Sequence, residues 1–168
     1  MANIVELLRA EHREFGPKIE RLRENADLMF LEPGGEVAKD VEESFLFINW
    51  ELIPHAKAEE RVLYPAMEKV LGKPTATEMM VMDHQEILQL ADELGALRPA
   101  MLTDELTHEE RKHFRRLFYS LYALIKLHFR KEEEIVIPLL DRYLSEDEAS
   151  KLAAAMKDAA ESVRPRAG

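Results

Sequence analysis

The stretch "HFRRLFYSLYALIKLHFRKEEEIVIPLL", residues 113–140, carries the pattern that decides the fold. Taken at alternating spacings of four and three, it yields Phe114, Phe118, Leu121, Ile125, His128, Glu132, Ile135 and Leu139. A repeat of this kind marks the face that a helix turns toward the other helices of a bundle. Every position is apolar except His128 and Glu132, and residues four apart lie one turn apart on one side of a helix. A second stretch repeats the pattern with Val41, Phe45, Ile48, Leu52, His55, Glu59, Val62 and Ala66. "HAKAEERVLYP" from His55 and "HFRKEEEIVIP" from His128 align at a displacement of 73 positions.

Two further stripes carry a single histidine each. One runs Val5, Leu8, His12, Phe15, Ile19, Leu22, and the other Met80, His84, Ile87, Ala91, Leu94. "AEHREF" around His12 matches "MDHQEI" around His84, displaced by 72. The chain therefore reads as two related halves, each with one solitary histidine followed by a His-x-x-x-Glu.

Glycine is scarce and helix-forming residues dominate between a few breaks. The breaks are "LEPGGE" at 31–36, "LGKPTATE" at 71–78 and "LRPAMLTDELTHEE" at 97–110. Thr107 with Glu110 and Ser145 with Glu148 form capping boxes that open helices. The predicted helices are 3–28, 36–70, 77–97, 108–143 and a shorter one at 146–163. Short connections make long helices antiparallel neighbours. The expected fold is all-α: an up-down-up-down antiparallel four-helix bundle over 1–143 with an additional C-terminal helix, the whole of 1–168 forming one domain. That last helix is amphipathic through Leu152, Ala153, Met156, Ala160 and Val163. It either covers a bundle groove or forms a dimer contact, so the expected state is a monomer or a weak homodimer.

Composition narrows the function. The chain has 168 residues, 46% apolar and 33% charged, which is a globular composition with room for a full core. No apolar run approaches the ~20 residues of a membrane helix, and the N-terminal segment is charged by Glu6, unlike a signal peptide. A cytoplasmic protein with no membrane partner is expected. The net charge of −10 argues against nucleic acid as a partner. There is no cysteine, which excludes disulfides, thiol nucleophiles, iron–sulfur clusters and thiolate zinc sites. Any metal must be held by histidine and carboxylate, ligands suited to iron, manganese or zinc.

Burying unpaired charge is costly, and proteins pair it, neutralise it or give it a metal. Four imidazoles and two carboxylates on four core stripes need one common explanation. A fully satisfied polar network without metal is one. A pair of divalent ions is the reading that also accounts for two matched halves. His12 and His55 would serve one metal and His84 and His128 the other, with Glu59 and Glu132 bridging.

At these residues the chain resembles the hemerythrin-like family of HHE cation-binding domains. The matching pattern is His12, then His55-x-x-x-Glu59, then His84, then His128-x-x-x-Glu132, with Pro65 and Pro138 six residues after each glutamate. The resemblance covers roughly 1–143. It implies a four-helix bundle around a non-haem di-iron centre, two iron ions with an oxo or hydroxo bridge. His12, His55, His84 and His128 are then terminal ligands, and Glu59 and Glu132 bridge. Family members bind dioxygen, handle nitric oxide or peroxide, or sense oxygen and iron.

One position departs from the family. Oxygen-carrying members have a fifth histidine one turn from the solitary one of the third helix, where this chain has Met80; its counterpart in the first half is Leu8. Thioether is too soft a donor for an ordinary iron site. Tyr64, Glu60, Glu133, Glu11 and Asp83 are the candidates for an extra ligand. The departure favours redox turnover over plain oxygen carriage. Three functions follow: uptake of dioxygen or a related small molecule (nitric oxide, peroxide) in an oxygen, iron or redox response; an oxidoreductase with catalase-like peroxide disproportionation; and iron storage or delivery, which six ligands for two ions disfavour. Whether the chain is an enzyme is left open by the residues.

The remaining residues read as structural. His113 lies roughly 22 Å along its helix from His128, and His108 lies farther still. Glu60 and Glu133 sit at the seam's edge, within reach of a hydrogen bond to a histidine's other ring nitrogen. Tyr64, Tyr122 and Trp50 read as packing residues. Pro54 is expected to kink its helix just before His55.

Overall fold

The structure is a computed structural model and describes residues 3–30, 34–103 and 105–164. Five helices follow one another: α1 (Ile4–Leu28), α2 (34–71), α3 (Glu78–Leu102), α4 (108–143) and α5 (Glu146–Val163). The first four form the bundle, and α5 lies across α1 and α2. Among the described residues no helix is long and apolar enough to cross a membrane.

Local chemistry sets the helix ends. Capping boxes open α1 at Asn3 and Glu6, α4 at Thr107 and Glu110, and α5 at Ser145 and Glu148. Each satisfies backbone N–H groups that a helix start leaves without partners. Gly72 closes α2 at φ 62°, a left-handed conformation that costs a glycine little. Of the turn expected at 31–36, residues 31–33 lie outside the described residues, and α2 opens at Gly34. The expected break at 97 is corrected: α3 runs through Pro99 to Leu102. Met101, 2% exposed, anchors that last turn in the core, where burial outweighs the proline's preference to end a helix.

The expected stripes of α1 and α3 are buried throughout, as are those of α2 and α4 as far as Glu59 and Glu132. Beyond those glutamates the stripes shift by one residue. Leu63, Tyr64 and Met67 are buried in place of Val62 and Ala66; Val136 and Leu140 are buried in place of Ile135 and Leu139. Ile135 is 56% exposed. The cause is a single wide π-helical turn at Glu59–Leu63 and at Glu132–Val136, with the bonds Tyr64 N–H to Glu59 O and Ile137 N–H to Glu132 O. Pro65 and Pro138 follow these turns by two residues. A proline has no N–H and its ring collides with the carbonyl four residues back; a turn widened by one residue moves that carbonyl aside. A third such turn, Ile48–Leu52, precedes Pro54. The kink expected there takes the form of this wide turn, and α4, with Leu127 at the matching place, is regular over His108–Lys131.

The interior is two apolar cores separated by a polar layer. One core contains Phe15, Leu22, Phe45, Leu52, Leu94, Phe114, Phe118 and Leu121. The other contains Ile4, Leu8, Leu63, Met67, Met80, Ile137 and Leu140, together with Ala149, Ala153, Met156 and Ala159 of α5. Helix α5 thus fills a groove of the bundle rather than standing free.

Candidate metal centre

The polar layer consists of His12, His55, Glu59, His84, His128 and Glu132, none more than 8% exposed. His12 comes from α1, His55 and Glu59 from α2, His84 from α3, His128 and Glu132 from α4. The six expected ligands are therefore together at one level of the bundle.

Each imidazole is held from behind by a carboxylate. His12 Nδ1 donates to Glu133 at 2.8 Å, His55 Nδ1 to Glu11 at 2.9 Å, His84 Nδ1 to Glu60 at 3.0 Å and His128 Nδ1 to Asp83 at 3.0 Å. An ionised carboxylate only accepts, so each Nδ1 carries a proton and each Nε2 is turned toward the centre. The pattern obeys the internal duplication. Glu11 and Asp83, each beside a solitary histidine, hold the histidine of their own half's motif. Glu60 and Glu133, each beside a motif glutamate, hold the solitary histidine of the other half. These four side chains, named above as candidates for an extra ligand, face the outer ring nitrogens, the place expected above for Glu60 and Glu133. Their signal in the sequence is adjacency: each sits next to an expected ligand. Such partners orient a metal-binding histidine and raise its basicity.

The inner atoms fit a bound cation. Among the described residues, the buried side-chain atoms without a hydrogen-bond partner are His12 Nε2, His55 Nε2, both Glu59 oxygens, Glu132 Oε2 and, away from this layer, Asn25 Oδ1. His12 Nε2 stands 3.2 Å from Glu132 Oε2, and His55 Nε2 3.2 Å from Glu59 Oε1, close but without hydrogen-bond geometry. Buried polar atoms are rarely left unpaired, so these need a shared partner. His84 Nε2 and His128 Nε2 lie 2.9 Å apart. With both Nδ1 atoms already donating, a proton or a cation must lie between them. The donors fall into two groups able to hold an ion: His12, His55, Glu59 and Glu132, and Glu59, His84 and His128, with ligand atoms in each within 4.8 Å of one another. Glu59 belongs to both.

The electrostatics favour positive charge at the centre. Burial alone pushes the His55 imidazole down, but the Glu59 and Glu11 carboxylates hold it well above its ordinary value. Burial pushes Glu59 up, and His55 and His84 outweigh it and hold the carboxyl well below the usual range. His128 is raised in the same way, burial being overcome by Glu132, Glu59 and Asp83.

Tyr64 breaks the two-fold pattern, since its counterpart in the second half is Ile137. The ring is 2% exposed. Its hydroxyl donates to Glu132 Oε1 at 3.2 Å and lies 3.3 Å from His84 Nε2. Burial and the Glu59 and Glu132 charges push the phenol upward, which keeps it a neutral donor. Tyr64, a candidate for an extra ligand as well as a packing residue in the sequence, reaches the centre because the wide turn after Glu59 brings its side chain round. Beside the layer, a cavity of about 10 Å³, the room of one water-sized molecule, reaches His55, His84 and His128 between Leu52, Ala56, Ile87 and Phe129. His108 and His113 stay away from the site: His108 packs edge-on against Phe30, and His113 lies near Glu93 and Arg116.

The fold and this layer define a class: a helical bundle with a buried histidine–carboxylate site for cations. Sequence comparison gives the family. The model of the Hemerythrin HHE cation binding domain family matches residues 3–140 and again 75–167, and the chain belongs to that family. An uncharacterised hemerythrin-like protein of Schizosaccharomyces pombe is 32% identical over 108 residues, 64% of this chain and 49% of that protein. A protein named DNA nickase from Nostoc is 23% identical over 166 residues, 99% of this chain and 41% of that protein. The chain thus spans about half the length, or less, of these relatives. No solved structure matches it.

Proposed function

We propose that the chain binds two iron ions and takes up one small ligand beside them, dioxygen, nitric oxide or peroxide, in an oxygen, iron or redox response. The observation that carries this is the set of imidazoles with Nδ1 committed to carboxylates and Nε2 turned toward two donor groups that share Glu59. Donors of this hardness suit iron, and the shared carboxylate suits a bridged pair. The cavity beside His55, His84 and His128 has room for one water-sized molecule. Bound iron supplies Lewis acidity and electrons. The chain's own residues hold the imidazoles, exclude water with Phe129 and Ile87, and keep one proton at the Tyr64 hydroxyl. The nickase name belongs to the longer Nostoc protein; a chain of net charge −10 lacks the usual grip on a phosphate backbone.

A second reading, peroxide disproportionation, is favoured by Tyr64. It places an O–H at the cluster, where a reaction that moves protons on and off oxygen can use it. The experiment that tests both is anaerobic titration of the metal-free protein with ferrous iron, followed by air and then peroxide. Saturation at about two ions per chain is expected, and far less with His55→Ala. A band formed in air and lost on degassing supports the binding reading. Oxygen evolution from peroxide supports the enzyme. Saturation well below one ion per chain contradicts both.

A further inference from the structure

The six side chains of the polar layer are not equally covered. His12 is 8% exposed, and none of the other five exceeds 4%. His12 lies at the floor of a groove between α1 and α4, a cavity of about 340 Å³ that Gly16, Ile19 and Phe129 also line. The duplication places its counterpart between α3 and α2, which holds the far smaller cavity of about 10 Å³ beside His55, His84 and His128. Two positions distinguish the grooves. Gly16 has Leu88 as its counterpart at a displacement of 72, and Phe129 has Ala56 at a displacement of 73. Leu88 and Ala56 both line the small cavity.

Gly16 stands inside α1, where glycine costs stability relative to alanine. A Cβ there would meet nothing within 4 Å, so no close approach demands the glycine. What its missing side chain leaves is open space. A helical side chain covers the turn on the N-terminal side of its own Cα, so a leucine at 16 would lie over His12, one turn earlier. Phe129 is the inner wall. Its ring stacks on the His12 imidazole, centroids 4.2 Å apart and 21° from parallel, and meets His55 edge-on at 5.9 Å. The same side chain lines the outer groove and the inner cavity, so it stands between them.

We propose that the α1/α4 groove admits a small uncharged ligand to the layer, with Phe129 as the gate and Gly16 as the opening in front of it. This rests on the reading of the layer as a centre that takes up such a molecule. Rotation of the Phe129 ring into the groove joins groove and inner cavity, and the space over Gly16 receives it. The charged residues of the lining are already engaged: Lys126 with Glu20, Arg130 with Glu134, and Glu133 with His12. None of them awaits an ion. Another cavity, of about 100 Å³ under α5, also reaches His55, but from the side where Glu11 occupies Nδ1.

Two measurements on the intact chain test this. In the metal-free protein, diethyl pyrocarbonate labels histidine, and mass spectrometry reads the label at His12 against His113, which lies away from the site with a side chain 38% exposed. Gly16→Leu should lower the His12 labelling rate about tenfold or more, and Phe129→Ala should raise it above the parent's. The Cβ at 16 meets no clash, so Gly16→Leu should keep the parent's far-UV helicity and iron content. In the ferrous iron-loaded protein, stopped-flow mixing with nitric oxide gives the second readout. A gate alters entry and exit together, so Gly16→Leu should slow association and dissociation alike, about tenfold, and leave the affinity within about twofold. Phe129→Ala should speed association. Labelling and association rates within about twofold of the parent in both variants overturn the proposal. So does an affinity change with association unaltered. Protein that binds no iron or no nitric oxide overturns the uptake reading instead, and the labelling of His12 then decides the passage by itself.

Discussion

Replacing Glu11 by alanine isolates what an outer carboxylate does for the centre. Glu11 touches His55 Nδ1 at 2.9 Å, and its side chain is 31% exposed. Without it His55 can place its proton on either nitrogen, and the tautomer with a free Nε2 loses its advantage. Loss of such a partner typically lowers metal affinity about 10- to 100-fold. Water can reach the vacated place, so about tenfold is expected, equal to about 1.4 kcal/mol. Asp83 holds His128 at 3.0 Å with a side chain only 15% exposed. Water replaces it less well, and Asp83→Ala should sit near the hundredfold end. The assay is competition against a chelator of known affinity, with helicity followed by circular dichroism. Each variant should weaken one ion, that of His12 and His55 for Glu11 and that of His84 and His128 for Asp83. Glu11→Gln, which keeps an accepting oxygen, should recover part of the loss. Affinities within threefold of the parent in both alanine variants would refute the reasoning, and so would the reverse ranking.

Three further outcomes follow from the structure. Leu63→Ala should cost about 2–5 kcal/mol in urea unfolding, as a fully buried leucine does, and Val62→Ala less than half of that; equal costs would deny the one-residue shift after Glu59. Tyr64→Phe should keep two ions per chain and the native helicity while slowing peroxide turnover, or changing the spectrum of the ligand-bound form. The Arg98 guanidinium, bonded at 2.8 Å, holds Glu42 below its ordinary carboxylate value against a burial effect that raises it. Its folded value being depressed, the pair contributes above the unfolded carboxylate range, and that contribution fades as pH falls through about 4.5 and below. Both side chains are about a third or more exposed, so Arg98→Ala should remove no more than about 1 kcal/mol at pH 7 and flatten the acid limb of the stability curve.

The bundle and its polar layer are legible in the sequence because burial imposes a period. Two breaks in the apolar stripes of α2 and α4, at His55/Glu59 and His128/Glu132, and one each at His12 and His84, mark six residues that the fold brings to one level. Period reading fails just beyond that level. A 4-3 spacing assumes a constant 3.5 residues per turn, and the wide turns before Pro65 and Pro138 add a residue that it cannot register. Val62 and Ile135 are placed inside for that reason, and Tyr64 falls off the stripe although it reaches the centre. Glu60 and Glu133 are legible as partners of a histidine's other ring nitrogen because each sits at the edge of a stripe, whereas Glu11 and Asp83 enter only as candidates for an extra ligand. Glu11, Glu60, Asp83 and Glu133 are each one residue from it, and only the packing of neighbouring helices shows which histidine each one meets. Pro99 misled in another way, since local propensity gave way to the burial of Met101.

The central claim is that the layer of His12, His55, Glu59, His84, His128 and Glu132 holds two ions. The most direct measurement is an anomalous-scattering crystal structure of the iron-loaded protein. Two peaks are expected, one bound by the Nε2 atoms of His12 and His55 and the other by those of His84 and His128, with Glu59 and Glu132 between them. A single peak, ligation through any Nδ1, or no peak within this layer would contradict the account.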